Sequence, residues 1–224
     1  MRMVCESYGL YYQFRENMTV ELLIDSADMF RTFVTRLWSQ YTTNEDFIVF
    51  SEEEKEVRLD KIGDIILNPL QIDINNRKII TKVYQEMIQD SLDCRQEQMS
   101  GLMTQMERFI IDACESSDYP LTYDTNPNMV ELLKLFNVRV DNSDMDLQSR
   151  IIAYVKLAHR VLNTSLFIFV NIKSFFSDEV LDMILQSLHY EKVNILLIER
   201  NETPCLSSQT RIIIDKDACV IYDT

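Results

Sequence analysis

The chain has 224 residues, with 22 Lys and Arg against 36 Asp and Glu, and its formal net charge of −14 excludes a simple basic nucleic-acid module. At 46% hydrophobic, with only 3 Gly and 4 Pro, it is too apolar and too poor in chain breakers for a disordered or fibrous protein. A chain of this length buries enough surface to fold as one or two globular domains without disulfides or a structural metal.

In chain order, residues 18–24 (MTVELLI) are aliphatic and β-branched and predict a strand, and the following DSADMFRTFVTRLWSQY spaces its apolar residues as a helix behind an Asp25 or Ser26 cap. Residues 47–50 and 64–67 predict further short strands, separated by the charged run SEEEKE, a solvated turn. From 76 to 137 the pattern changes. No strand-like run occurs there, and Met99, Leu102, Met103, Met106, Phe109, Ile110 and Ala113 recur at steps of three and four, the spacing of a helical packing stripe. Gly101 interrupts that stripe, Pro120 and Pro127 mark a loop after the long helical part, and a shorter helix is expected over 129–136. After Val138 the α/β pattern resumes. A helix over 144–162 precedes the strand SLFIFVN at 165–171, then a second helix, VNILLIE at 193–199, RIII at 211–214 and CVIY at 219–222. Two nearly continuous apolar strands joined through a helix predict a parallel crossover covered on both faces. The expected fold is α/β: a P-loop-like head with a central, mostly parallel sheet, built from residues 1–75 and 138–224, with an α-helical leg inserted at 76–137.

A head in which SLFIFVN ends in a polar residue is similar to nucleotide hydrolases, which also need a glycine-rich loop to cradle phosphates. That loop is missing: Gly9, Gly63 and Gly101 are the only glycines. Asp25 and Asp28 at the helix entrance suit a cap and repel a triphosphate. No ATP hydrolysis is expected, and turnover abolished by changing Asn171 or Asp25 would contradict this. Cys5, Cys94, Cys114, Cys205 and Cys219 show no paired spacing, and His159 and His189 fall in no catalytic or metal signature, so the cysteines read as reduced, mostly buried thiols. MRMVCESYGL lacks an apolar run of signal length, and no stretch approaches the ~18 apolar residues of a membrane span; a cytoplasmic location is expected.

Taken as a whole, the order strand, helix, charged turn, helical insertion, helix, then SLFIFVNIKSFFSDEV and VNILLIER, with VELLKLFNVRV entering the second half of the head, resembles the type II-A CRISPR-associated adaptation proteins, the Csn-two family in its short form. The resemblance covers essentially the full chain and rests on core segments rather than a catalytic signature. It implies a homotetrameric ring that encircles double-stranded DNA, binds at its free ends and slides inward during spacer acquisition. It also implies no nuclease or ATPase activity, stabilisation of the ring by Ca2+, and two partners, the CRISPR integrase complex and the RNA-guided effector nuclease.

An acidic chain can hold DNA only if its charge is segregated. Between Arg108 and Lys134 lie Asp112, Glu115, Asp118, Asp124 and Glu131 with no basic residue among them. Asp112 and Glu115 share one face of a helix end, and Asp118 and Asp124 flank a Pro-containing loop, a gathering of hard oxygen donors of the kind Ca2+ takes; a solvated acidic face is the alternative. On the 144–162 helix, Ile151, Tyr154, Val155, Ala158, Val161 and Leu162 cluster on one side, with Lys156 and Arg160 one turn apart opposite them. With Arg150 nearby on the same outer surface and Lys173 just beyond SLFIFVN, these are the expected phosphate contacts of the ring, and Arg31 and Arg36 on the first head helix are further candidates. No aromatic residues interleave with a basic run and no base-reading helix is evident, so binding is expected to be independent of sequence. Two other readings stay open: an acidic α/β protein-interaction adaptor with no direct DNA role, and a divalent-metal nuclease built on the acidic cluster.

Overall fold

The computed structural model describes every residue except 125–128, 203, 205, 207, 208 and 224, and residues 91–96 by their backbone alone. Pro127, Cys205 and the Cys94 side chain, named above, lie outside the described residues. The chain divides into two units, Met1–Ile74 with Asn142–Thr224, and Asn75–Asp141.

The first unit carries a six-stranded sheet. Its strands are β3 (Thr19–Ile24), β6 (Gly63–Ile66), β7 (Leu166–Val170), β8 (Asn194–Glu199), β9 (Gln209–Ile214) and β10 (Val220–Asp223), in the spatial order β10-β9-β3-β8-β7-β6. Neighbours from β9 to β6 run parallel, and β10 closes one edge antiparallel to β9. The mostly parallel α/β architecture is thus the one expected. β3 and β7 are buried at every position, as interior parallel strands require.

Strand alternation sends Val20, Leu22 and Ile24 to one face, where they share a core with Phe33 and Leu37 of α1 (Ala27–Thr43). The opposite face meets α5 (Leu147–Leu162) and α6 (Asp178–His189). His189 of α6 is hydrogen-bonded to Thr19 at 3.0 Å, and the Tyr154 hydroxyl of α5 donates to Asp64 of β6. Asp146 caps α5 by accepting the Ser149 N–H, so the helix starts at Leu147 rather than at 144.

A second, four-stranded antiparallel sheet was not anticipated. It is built from β1 (Arg2–Cys5), β2 (Leu10–Gln13), β4 (Val49–Glu52) and β5 (Lys55–Val57) in the order β2-β1-β4-β5, and Met3, Cys5, Leu10 and Phe50 join the α1 core. A four-residue helix, α2 (Leu59–Ile62), leads into β6.

The second unit holds α3 (Arg77–Glu115), 39 residues long, hence about 58 Å, and α4 (Met129–Leu135). Asn76 caps α3 by accepting the Ile79 N–H. The Tyr84 hydroxyl donates to the Val138 carbonyl, and the Asn75 side chain bonds both the N–H and the C=O of Val140, so the return segment is stitched to the start of α3. Of the apolar stripe, Met99, Met103 and Met106 are half-buried, while Leu102, Phe109 and Ile110 are exposed. Among the described residues no helix is long and apolar enough to cross a membrane.

Candidate functional site

The C-terminal ends of parallel strands are where α/β sheets place ligands, so the β3 and β7 ends bear first on chemistry. Only Asp25 and Ser26 separate β3 from α1. The Asp25 N–H is bonded to the Ile214 carbonyl, Ser26 Oγ accepts the Met29 N–H at 3.4 Å, and the Asp25 carboxylate lies 3.6 Å from Lys216 Nζ. A two-residue connection whose side chain is spent on the cap cannot wrap a phosphate chain. At the end of β7, Asn171 takes a left-handed conformation (φ 53°), and its N–H is bonded to the Ile198 carbonyl.

The strongest concentration of buried charge lies one step further on. Glu21, in the middle of β3, is fully buried. Its Oε1 is 2.6 Å from Lys173 Nζ, and its Oε2 is 2.9 Å from both Nε and Nη2 of Arg211 on β9. Lys173 Nζ also donates to the Pro204 carbonyl at 3.3 Å. Glu199, 3% exposed at the end of β8, accepts the backbone N–H of Lys173 at 3.2 Å. Burial pushes the Glu199 carboxyl up to about 7, and the charge of Glu21 adds to the rise against the opposing pull of Lys173. This cluster ties β3, β8, β9 and the turn after β7 together, with its charges committed to one another. Among the described residues it contains no Ser, Cys or His nucleophile.

The expected phosphate contacts fall into three kinds of surroundings. Lys156 and Arg160 are exposed on α5, one turn apart and away from buried Ile151, Val155, Ala158 and Val161; Lys156 pairs with Glu191 at 3.1 Å, and Arg150 is half-buried on the same helix. Arg31 is exposed and pairs with Asp28 at 3.0 Å, while the Arg36 guanidinium lies 4.2 Å above the Phe47 ring. Lys173, expected as a phosphate contact just beyond SLFIFVN, has a side chain only 3% exposed, because Glu21 holds its ammonium inside.

Among the expected cation ligands, Asp112 and Glu115 are exposed at the end of α3, Asp118 and Asp124 are exposed beyond it, and Glu131 on α4 pairs with Lys134 at 2.8 Å. Among the described residues, no three acidic, His or Cys side chains of one chain come together as a metal-holding group. Residues 125–128, four of the seven in the run TYDTNPN at 122–128, lie outside the described residues.

A family model described as CRISPR-associated protein (Cas_Csn2) matches residues 40–218. The chain belongs to this family. Its role is therefore associated with CRISPR adaptation. The matched span contains every expected metal ligand and every expected phosphate contact except Arg31 and Arg36. Among solved structures, a putative ABC transporter (ATP-binding protein) from Pyrococcus furiosus aligns with 13% identity over 91% of this chain and 88% of its own, at a TM-score of 0.39. Sequence reasoning missed Glu21, Glu199 and Arg211. The one signal available was a charged residue inside each of the apolar runs VELLI, NILLIE and TRIII.

Proposed function

We propose that the protein is a non-catalytic, sequence-independent binder of double-stranded DNA ends that forms a calcium-stabilised homotetrameric ring and acts in the acquisition of new CRISPR spacers in antiviral defence in the cytoplasm. It works there alongside the CRISPR integrase complex and the RNA-guided effector nuclease. The observation that carries this reading is the family match over residues 40–218. The two-residue β3–α1 connection, with no room for a phosphate loop, supports the absence of nucleotide hydrolysis.

In this reading Arg150, Lys156 and Arg160 of α5, with Arg31 and Arg36 as secondary contacts, meet backbone phosphates. The exposed Lys156–Glu191 pair gives way readily, because such pairs contribute only about 0–1 kcal/mol. Asp112, Glu115, Asp118, Asp124 and Glu131 are all hard oxygen donors, which suits Ca2+. Since one chain does not converge three of them among the described residues, an ion held here draws the rest of its shell from water or from a second copy. Self-association is favoured by the apolar side chains the second unit leaves in solvent, including Phe109 at 71% and Phe136 at 74% exposure.

The test is native mass and duplex binding measured with calcium and with a chelator. A tetramer that binds two unrelated duplexes equally, and loosens without calcium, is the expected result. A monomer indifferent to calcium, or release of nucleotides from labelled duplex with Mg2+ or Mn2+, would contradict it.

A further inference from the structure

Four sheet edges are open among the described residues, and three of them are guarded. β5 opens with Lys55 and Glu56, charges that discourage another strand. β6 carries Asp64, held by the hydroxyls of Tyr41 and Tyr154. β2 is blocked at Tyr11. The Tyr222 hydroxyl accepts the Tyr11 N–H and donates to the Tyr11 carbonyl, both at 3.0 Å, so one phenol fills the place a strand would take.

β10 has no such guard. It begins Val220-Ile221-Tyr222, without proline or charge before Asp223, and Ile221 and Tyr222 are 49% and 44% exposed. The register fixes which backbone groups face outward. The Asp215 N–H bonds the Cys219 carbonyl, and pairing continues through Ile213 with Ile221 and Arg211 with Asp223, so the N–H and C=O of Val220 and Tyr222 point away from β9.

We infer that β10 is an interface strand that pairs antiparallel, edge to edge, with β10 of a second copy about a two-fold axis at Ile221. The strand is self-complementary in that register. Val220 of each copy meets Tyr222 of the other through the outward backbone groups, the two Ile221 side chains pack on the axis, and Asp223 faces Cys219 rather than another acid. An isologous contact of this kind closes after two copies, so it does not propagate into a fibre. The inference deepens the proposed ring, on which it rests for the second copy, by naming the surface through which two first units join.

The test is site-directed cross-linking in the full chain. Directly opposed residues at a non-hydrogen-bonded antiparallel position have Cα atoms about 4.5 Å apart, within disulfide range. Ile221→Cys, made with Cys219→Ser to remove the exposed native thiol, should give a disulfide-linked dimer on mild oxidation, while Cys219→Ser alone does not. Ile221→Lys should weaken self-association by roughly tenfold or more without moving the melting temperature of the dissociated chain, since Ile221 is half in solvent already. Val220→Pro, which removes an outward N–H and leaves the β9 pairing intact, should do the same. An oligomer that neither cross-links through Ile221→Cys nor weakens with Ile221→Lys overturns this interface alone. A wild-type chain that stays monomeric at every concentration overturns the ring as well.

Discussion

Glu199 is held where its charge is costly. A carboxyl raised to about 7 by burial stabilises the fold fully below its unfolded value near 4.5 and loses that contribution as pH climbs through 7, the reverse of a salt-bridged carboxylate. Stability to denaturant should therefore fall between pH 5 and pH 8, by at most about 3 kcal/mol. Glu199→Gln, which keeps the shape and drops the charge, should flatten that slope; a slope unchanged in the variant would mean another group sets it. Lys173 is bound to the opposite outcome. Lys173→Met leaves Glu21 only its pair with Arg211 and one carboxylate oxygen without its charged donor, and should cost about 1.5–3 kcal/mol in urea melts. If duplex binding by the refolded variant matched wild type, Lys173 would be confirmed as a brace rather than a phosphate contact.

Elements differ in how plainly the sequence announces them. The run that became β7 is apolar over its whole length, those of β3 and β8 are apolar apart from a single glutamate and a polar first residue, and α5 and α6 carry a one-sided apolar stripe behind Asp and Ser caps, so propensity, pattern and cap agree. The four-stranded sheet was illegible because its strands are three or four residues long and lack a sustained apolar run, as in the charged KEV and the aromatic LYYQ. One strand was misplaced for a visible reason. Residues 47–50 look β-forming, yet the Gln40 amide bonds both the N–H and the C=O of Ile48, and regular pairing starts only at Val49. The buried cluster could not be read at all, because Glu21 finds Lys173 and Arg211 across 152 and 190 positions of chain. Long-range ion pairs leave no local spacing.

Also at this scale, Gly101 sits inside α3 with nothing within 4 Å of where a Cβ would go. Gly101→Ala should raise stability by about 0.5–1 kcal/mol by restricting the unfolded chain and favouring the helix. A fall in melting temperature would mean a neighbour absent from the single chain packs there. If α5 meets phosphates as proposed, Lys156→Glu combined with Arg160→Glu should weaken duplex binding for every sequence alike and reduce the salt slope by about two, one per lost phosphate contact. Salt titrations by anisotropy read both effects.

At the scale of the whole molecule, the proposed function asks a chain of net charge −14 to hold a polyanion despite its own field. Electrostatic grip alone would then be weak and easily screened at physiological salt. Enclosure changes the requirement, since a closed ring retains duplex topologically and releases it only at an end or by opening an interface. Retention should accordingly resist added salt better than initial loading does. The deciding measurement loads the calcium-bound protein onto equal amounts of one duplex, linear and covalently closed, and follows both through a salt challenge. Binding and salt-resistant retention on the linear form, with none on the closed circle, is the expected result; equal binding to the two forms would contradict an encircling ring and leave an open groove.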